Sequence, residues 1–319
     1  MSRRTWTIIR FAVAIAIIFF LVTKINVTDV VNSILSAKLH YVIPSIILNL
    51  LAWYIASYML KFISDIEKLS ISTFQAVEIT LSTLFYSLFL PAGNLAGGLI
   101  KFYKLSRNEN KLAGAFVTVA LDRVFGTVGL CIVGLFFWMI SFPDDTSLFV
   151  LSMAMLLLGL SCFCALIFFN RGQRITNWLL GLANKVYFSP RLNKLISNLS
   201  ELGKVPFSSL ILLVAASIVV HLINVAVFYS LLLSLDLDVS IVTVGWIRSV
   251  VIMITIIPIT ISGLGLREGA FILLLGAFGV SDSNAFAYSL LIFAVTQVLP
   301  GLLGGLFEVK TLIAKGYTQ

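Results

Sequence analysis

Charge is scarce in this sequence. Of 319 residues, 11% are Asp, Glu, Lys or Arg and 60% are hydrophobic, where a soluble globular domain carries about 25% charged and about 45–50% apolar residues. Mean hydropathy is +1.06. These values exclude a soluble enzyme and a disordered chain. Cysteine is rare as well. Cys131, Cys162 and Cys164 all lie inside apolar runs, which excludes a disulfide scaffold and makes them core filler. The two histidines, His40 and His221, have no metal-ligand spacing. No G-x-x-x-x-G-K-[ST] phosphate loop is present, so neither a metal nor a nucleotide cofactor is expected. Polar stretches are short, and the longest, 170–207, is too small for a separate domain. Residues 1–319 therefore read as a single integral-membrane domain. The net charge of +8 does not indicate a nucleic-acid partner, because the basic residues sit in short loops beside apolar spans, as cytoplasmic loops do. They are also placed to meet anionic lipid head groups.

Arg3, Arg4 and Arg10 precede the apolar run Phe11–Val22, and no small-x-small cleavage site follows. This predicts an uncleaved first span with a cytoplasmic N-terminus. Further apolar runs lie near 41–60, 75–100, 113–141, 147–169, 208–235, 240–262, 266–280 and 285–307. With about 20 residues needed per crossing, the expectation is an all-α polytopic bundle of about eight transmembrane helices. Asp144, Asp145, Asp236, Asp238 and Asp282 occupy connectors without Lys or Arg. Lys101, Lys104, Arg107 and Lys111 crowd one connector, and Arg171, Arg174, Lys185, Arg191, Lys194 and Lys204 crowd another. The basic connectors belong to the cytoplasm. Lys310 and Lys315 put the C-terminus there too.

The run 75–100 then begins and ends on the cytoplasmic side, which predicts that it enters the membrane and returns, breaking near Pro91–Gly98; the competing reading is a single kinked helix with a misplaced basic loop. Non-helical backbone at that depth is tolerated only when buried in protein or lining a watery cavity. Whether 240–265 spans or forms a second such segment stays open. In 170–207, Ile175, Trp178, Leu179, Leu182 and Val186, and after Pro190 Leu192, Leu195, Ile196, Leu199 and Leu202, recur at helical spacing. They predict two amphipathic helices lying in the cytoplasmic interface.

Charged residues inside spans are costly and mark function by default. Asp122, Arg123, Arg248, Arg267 and Glu268 are such residues. His221 and Asn224 read as helix-to-helix hydrogen-bonding groups. Adjacent helical residues point about 100° apart. Neither Asp122–Arg123 nor Arg267–Glu268 should therefore pair internally, and the expectation is a crosswise network, Asp122 to Arg267 and Arg123 to Glu268. The two breaks echo each other: Pro91, Gly93, Asn94, Gly97, Gly98 and Lys101, against Pro258, Gly263, Gly265 and Arg267, with a weaker echo at Pro300, Gly301, Gly304 and Gly305. Paired Gly/Pro interruptions point to a transporter-type site. The competing reading is close helix packing, since Gly93–Gly97, Gly265–Gly269 and Gly301–Gly305 all have GxxxG spacing.

The stretches PAGNLAGGLIKFYKLSR at 91–107, ALDRVFG at 120–126, IPITISGLGLREGAF at 257–271 and LPGLLGG at 299–305 resemble the lysylphosphatidylglycerol synthase transmembrane, or flippase-like, family. Asp122 departs from it, since Glu more often precedes the Arg there. In larger members this membrane part is followed by a cytoplasmic aminoacyl-transfer domain. The chain ends at Gln319, so the expectation is a stand-alone, non-enzymatic member in the cell membrane. The resemblance implies a lipid translocator, with Lys101, Arg107, Arg123 and Arg267 offering cations to a lipid phosphate. Asp122 and Glu268 would orient them, and Arg248 is a secondary contact. The alternatives are a non-catalytic partner of a separately encoded lipid-modifying enzyme, or a membrane lipid transferase.

Overall fold

The computed structural model describes residues 19–21, 23, 25–90, 93–107, 112–141, 206–256 and 260–316. The first span as far as residue 18, the run 147–169 and the amphipathic connector 170–207 up to residue 205 lie outside them, as do Pro91 and Pro258. The described residues form helices and contain no strand. We number these α1 Val27–Leu35, α2 Leu39–Ile66, α3 Thr73–Phe89, α4 Asn94–Arg107, α5 Leu112–Ser141, α6 Phe207–Ser234, α7 Ile241–Ile256, α8 Leu266–Gly276, α9 Asp282–Phe293 and α10 Leu299–Gly316.

Some of the helices begin where a side chain satisfies free N–H groups of the first turn. Ser72 Oγ accepts from the Gln75 amide at 3.1 Å, and Gln75 Oε1 accepts from the Ser72 amide at 2.8 Å, a reciprocal cap that starts α3. Ser281 Oγ caps α9. Four helices among the described residues are long and apolar enough to cross a membrane: α2, α5, α6 and the continuous rod Asp282–Lys310 formed by α9 and α10. This is a membrane protein.

The rod is continuous across Pro300 because it widens. Ala294–Val298 form a π-turn in which the Leu299 amide donates to Ala294 O. The next bond in that pattern would run from residue 300 to Val295 O, and proline has no N–H to give. Asn49, buried in α2, supplies the missing donor: its Nδ2 lies 2.9 Å from Val295 O. The third Pro/Gly echo is therefore not a chain break. Its glycines serve packing instead. A Cβ on Gly304 would stand 2.0 Å from Leu81 O, and one on Gly301 2.5 Å from Leu88 Cδ1. α10 thus lies almost backbone to backbone on α3, as small-residue stripes permit.

Packing sorts the connectors to two ends of the bundle. At one end Lys38 pairs with Asp236, Ser33 bonds Asn284 at 2.7 Å, and Trp246 Nε1 donates to Ser141 Oγ at 3.2 Å. At the other, Leu69, Ile71, Leu105 and Ala115 share one buried cluster. Lys104 pairs there with Glu308 and lies 3.2 Å from Ser82 Oγ. Between the ends, the largest core joins α6, α7, α8 and α9 around Trp246, Phe271 and Tyr288.

Candidate functional site

Two helix–break–helix units dominate the interior. α3 and α4 lie side by side and run opposite ways. Gly97 packs against Ser87 and Thr83, and one turn or two later Lys104 reaches Ser82 and Glu78. α7 and α8 repeat the arrangement, with Gly263 against Thr255 and Trp246 against Phe278 at 6.2 Å. At 1.5 Å per residue these four helices are roughly 17–25 Å long, each short of a hydrocarbon core of about 30 Å. The first unit has both feet at the Leu69–Leu105 end of the bundle, and the second has both feet at the Lys38–Asp236 end.

Their broken tips touch. A Cβ on Gly93 would stand 2.8 Å from Ser262 N and 3.2 Å from Ser262 Cα. Gly93 has φ +51°, where only a residue without Cβ is at ease. Ser262 has φ +52°, and its hydroxyl donates to Ser87 O at 2.7 Å. An unusual backbone angle in a serine is a local cost, and here it aims one break's side chain into the other unit. Nothing in the spacing of the sequence marked Ser262 or Ser87 as a pair. The echo between the two breaks did mark the segments.

The charged residues singled out in the sequence fall into three groups. The first lies between α4 and α5. Lys101, 7% exposed, donates to Asp122 Oδ2 at 2.7 Å. One turn earlier on α4, a Cβ on Gly98 would stand 3.7 Å from Arg123 Nη2, so the Arg123 guanidinium lies over the glycine face of the helix that carries Lys101. Asp122 and Arg123 thus diverge as adjacent helical residues should, yet both reach α4. Arg107 is exposed on the last turn of α4.

The second group is at the start of α8. Glu268 Oε2 accepts from the Gly265 amide at 2.6 Å, and its other oxygen pairs with Arg267, whose Nε donates to Ser289 Oγ at 3.2 Å. The guanidinium also stacks 4.4 Å from the Phe293 ring centroid. Both residues are buried. This corrects the crosswise expectation: Asp122 pairs with Lys101, and Glu268 pairs with its own neighbour. The 100° divergence holds for side chains that extend outward. In a first turn, Glu268 instead folds back over the open N–H groups and comes beside Arg267.

The third group was missed as a group. Arg248 of α7 is 3% exposed and its Nη2 lies 3.2 Å from His221 Nδ1, while His221 Nε2 lies 2.8 Å from Gly126 O. His221 is the helix-to-helix hydrogen-bonding residue expected. A further cluster, Lys104 with Glu308, Glu78 and Tyr86, ties α3, α4 and α10 together. Glu308 lies 204 residues from Lys104, so no local pattern could reveal it. Among the described residues no group of three or more His, Cys, Asp or Glu could hold a metal.

Comparison with known proteins places this architecture. The family profile described as "Lysylphosphatidylglycerol synthase TM region" matches residues 7–304. The chain belongs to that family. It is also 24% identical over 301 residues to a UPF0104 membrane protein of Methanocaldococcus jannaschii, covering 90% of this chain and 89% of that relative. The match takes in both broken units, the Lys101–Asp122 pair and the Arg267–Glu268 turn. The family is a transmembrane region linked to lipid handling.

Proposed function

We propose that this protein translocates a phospholipid, or another lipid phosphate, between the leaflets of the cell membrane, without making or breaking a covalent bond. The observation that carries this reading is the meeting of Gly93 and Ser262. Two helical hairpins with feet at opposite ends of the bundle touch at their broken tips. On this reading both hairpins are re-entrant, one from each face, and the tips meet near the membrane middle. Both termini then face the cytoplasm. Such a pair thins the barrier that a polar head group must pass while its acyl chains stay in lipid. Lys101, Asp122 and Arg123 form the head-group contact, with Arg107 at the cytoplasmic entry. Arg offers a planar fork suited to phosphate. Arg267 and Glu268 hold the second tip in shape. The expected partner is an anionic membrane lipid.

The test is leaflet transfer of a fluorescent phosphatidylglycerol in vesicles holding the pure protein. Wild type should equalise the leaflets faster than empty vesicles, and R123K should slow this while its thermal midpoint stays near wild type. Pure protein without any transfer would favour the alternative, a non-catalytic partner of a separate lipid-modifying enzyme. Chemical change in the lipid would point to a transferase.

A further inference from the structure

Arg248 is a buried cation that meets no counter-charge among the described residues. It forms no ion pair with any of them, and its Nε and Nη1 have no hydrogen-bond partner among them. Arg is always protonated and carries five N–H donors. The groups that do touch it are neutral. Its Nη2 can only donate, so His221 Nδ1 accepts, and the proton of that imidazole must sit on Nε2, where it donates to Gly126 O. His221 is thereby fixed as the neutral tautomer. The guanidinium also stands 5.2 Å from the Phe228 ring centroid, which attracts a cation without satisfying its N–H groups.

The position makes this arrangement costly. His221 is the fifteenth residue of the 28-residue α6, and Gly126 is the fifteenth residue of the 30-residue α5. The chain Arg248–His221–Gly126 therefore crosses the bundle at mid-depth. An isolated charge there is costly, and such groups normally find a partner or line a pathway. Arg267, by contrast, has a carboxylate, a hydroxyl and an aromatic face. A second observation concerns access. A Cβ added to Gly126 would meet no heavy atom of the described residues within 4 Å, so none of them fills the space beside the backbone that anchors His221. Arg123 lies three residues earlier on α5 and shares that side of the helix.

We infer that Arg248, oriented by His221, is a second oxyanion site at mid-depth, taking a phosphate that moves from Arg123 past Gly126. Its free N–H groups donate to phosphate oxygens, and the arriving negative charge offsets the buried positive one. The chemistry is shared by a lipid phosphodiester and by free inorganic phosphate. This extends the lipid-translocation reading, but binding at Arg248 can be measured without any transport.

The site-specific probe is the ¹⁵N resonance of the Arg248 Nε–H in the full chain, held in phosphatidylcholine nanodiscs. It is assigned by its absence in R248K or, if that variant does not fold, by its contacts to the Phe228 ring protons. Inorganic phosphate and dihexanoyl phosphatidylglycerol are titrated separately, with chloride as the comparison. The expected result is a saturable shift of this resonance with phosphatidylglycerol, with free phosphate, or with both. A response to phosphatidylglycerol alone assigns the site to lipid, and one to inorganic phosphate alone assigns it to the free ion. No shift with either probe, or an equal shift with chloride, overturns the oxyanion site. Failed leaflet transfer in vesicles with this shift intact would remove the translocation reading and leave the site.

Discussion

Asn49 gives its side-chain amide to Val295 O, the carbonyl that Pro300 leaves without a helical donor. The bond joins α2 to the π-turn and is buried. Replacing Asn49 by Leu should cost about 1–3 kcal/mol, the penalty for a buried acceptor left unmade. The cost should shrink in a P300A background, where residue 300 regains an N–H. Thermal midpoints of the four proteins of this double-mutant cycle read the coupling. Strict additivity would show that the Asn49 bond does not answer the proline.

Gly93 and Gly269 separate a required glycine from a tolerated one. Ala at 93 must adopt a left-handed backbone and press its Cβ on Ser262. The expected loss is about 2–4 kcal/mol, from backbone strain and overpacking together. Gly269 is helical and a Cβ there meets nothing within 4 Å, so G269A should be neutral or stabilising by up to about 1 kcal/mol. Unfolding of the two variants in the same detergent checks the contrast.

The Arg267–Glu268 pair predicts an asymmetric mutant series. E268Q leaves the buried Arg267 cation uncompensated and should cost about 3–5 kcal/mol, whereas R267M/E268Q removes both charges and should recover much of that loss. If the double variant is as unstable as E268Q, the turn is held by hydrogen bonds rather than by charge pairing.

Sidedness follows from the two-ended sorting of connectors. In a cysteine-free background, single cysteines at Ser70 and at Arg107, both exposed positions, should react with an impermeant reagent only from the cytoplasmic side. A cysteine at Asp236 should react only from outside. Reaction of positions 70 and 107 from opposite sides would make α3–α4 a crossing rather than a hairpin.

Much of this fold was legible because lipid imposes few solutions. Long apolar runs had to become helices, since every backbone polar group must be satisfied within the segment. The runs near 41–60, 113–141, 208–235 and 285–307 correspond to α2, α5, α6 and the α9–α10 rod. The Gly/Pro stretches at 91–98 and 258–265 marked where helices stop, although α4 resumes at Asn94 and carries Gly97 and Gly98 within it. Which residues were charged and buried was also readable by their misfit with an apolar surrounding.

Pairing was not readable, because it depends on how helices rotate about their own axes. Asp122 could have turned toward Arg267, and it turned toward Lys101. Glu268 folded back on its own helix end, a choice made by the free Gly265 amide rather than by sequence distance. The PGLLGG motif reads like a third break, yet one distant side chain, Asn49, satisfies the orphaned carbonyl and lets the helix run on. The isolation of Arg248 is likewise a tertiary fact. The sequence shows an arginine in an apolar run, and only packing decides that its neighbours are a neutral histidine and a phenylalanine instead of a carboxylate. Composition and periodicity thus determined that this is a helical membrane protein with two broken segments. The tertiary structure decided that the breaks meet, through contacts between residues more than a hundred positions apart, and that Arg248 faces no carboxylate among the described residues, through the way α6 and α7 turn toward each other.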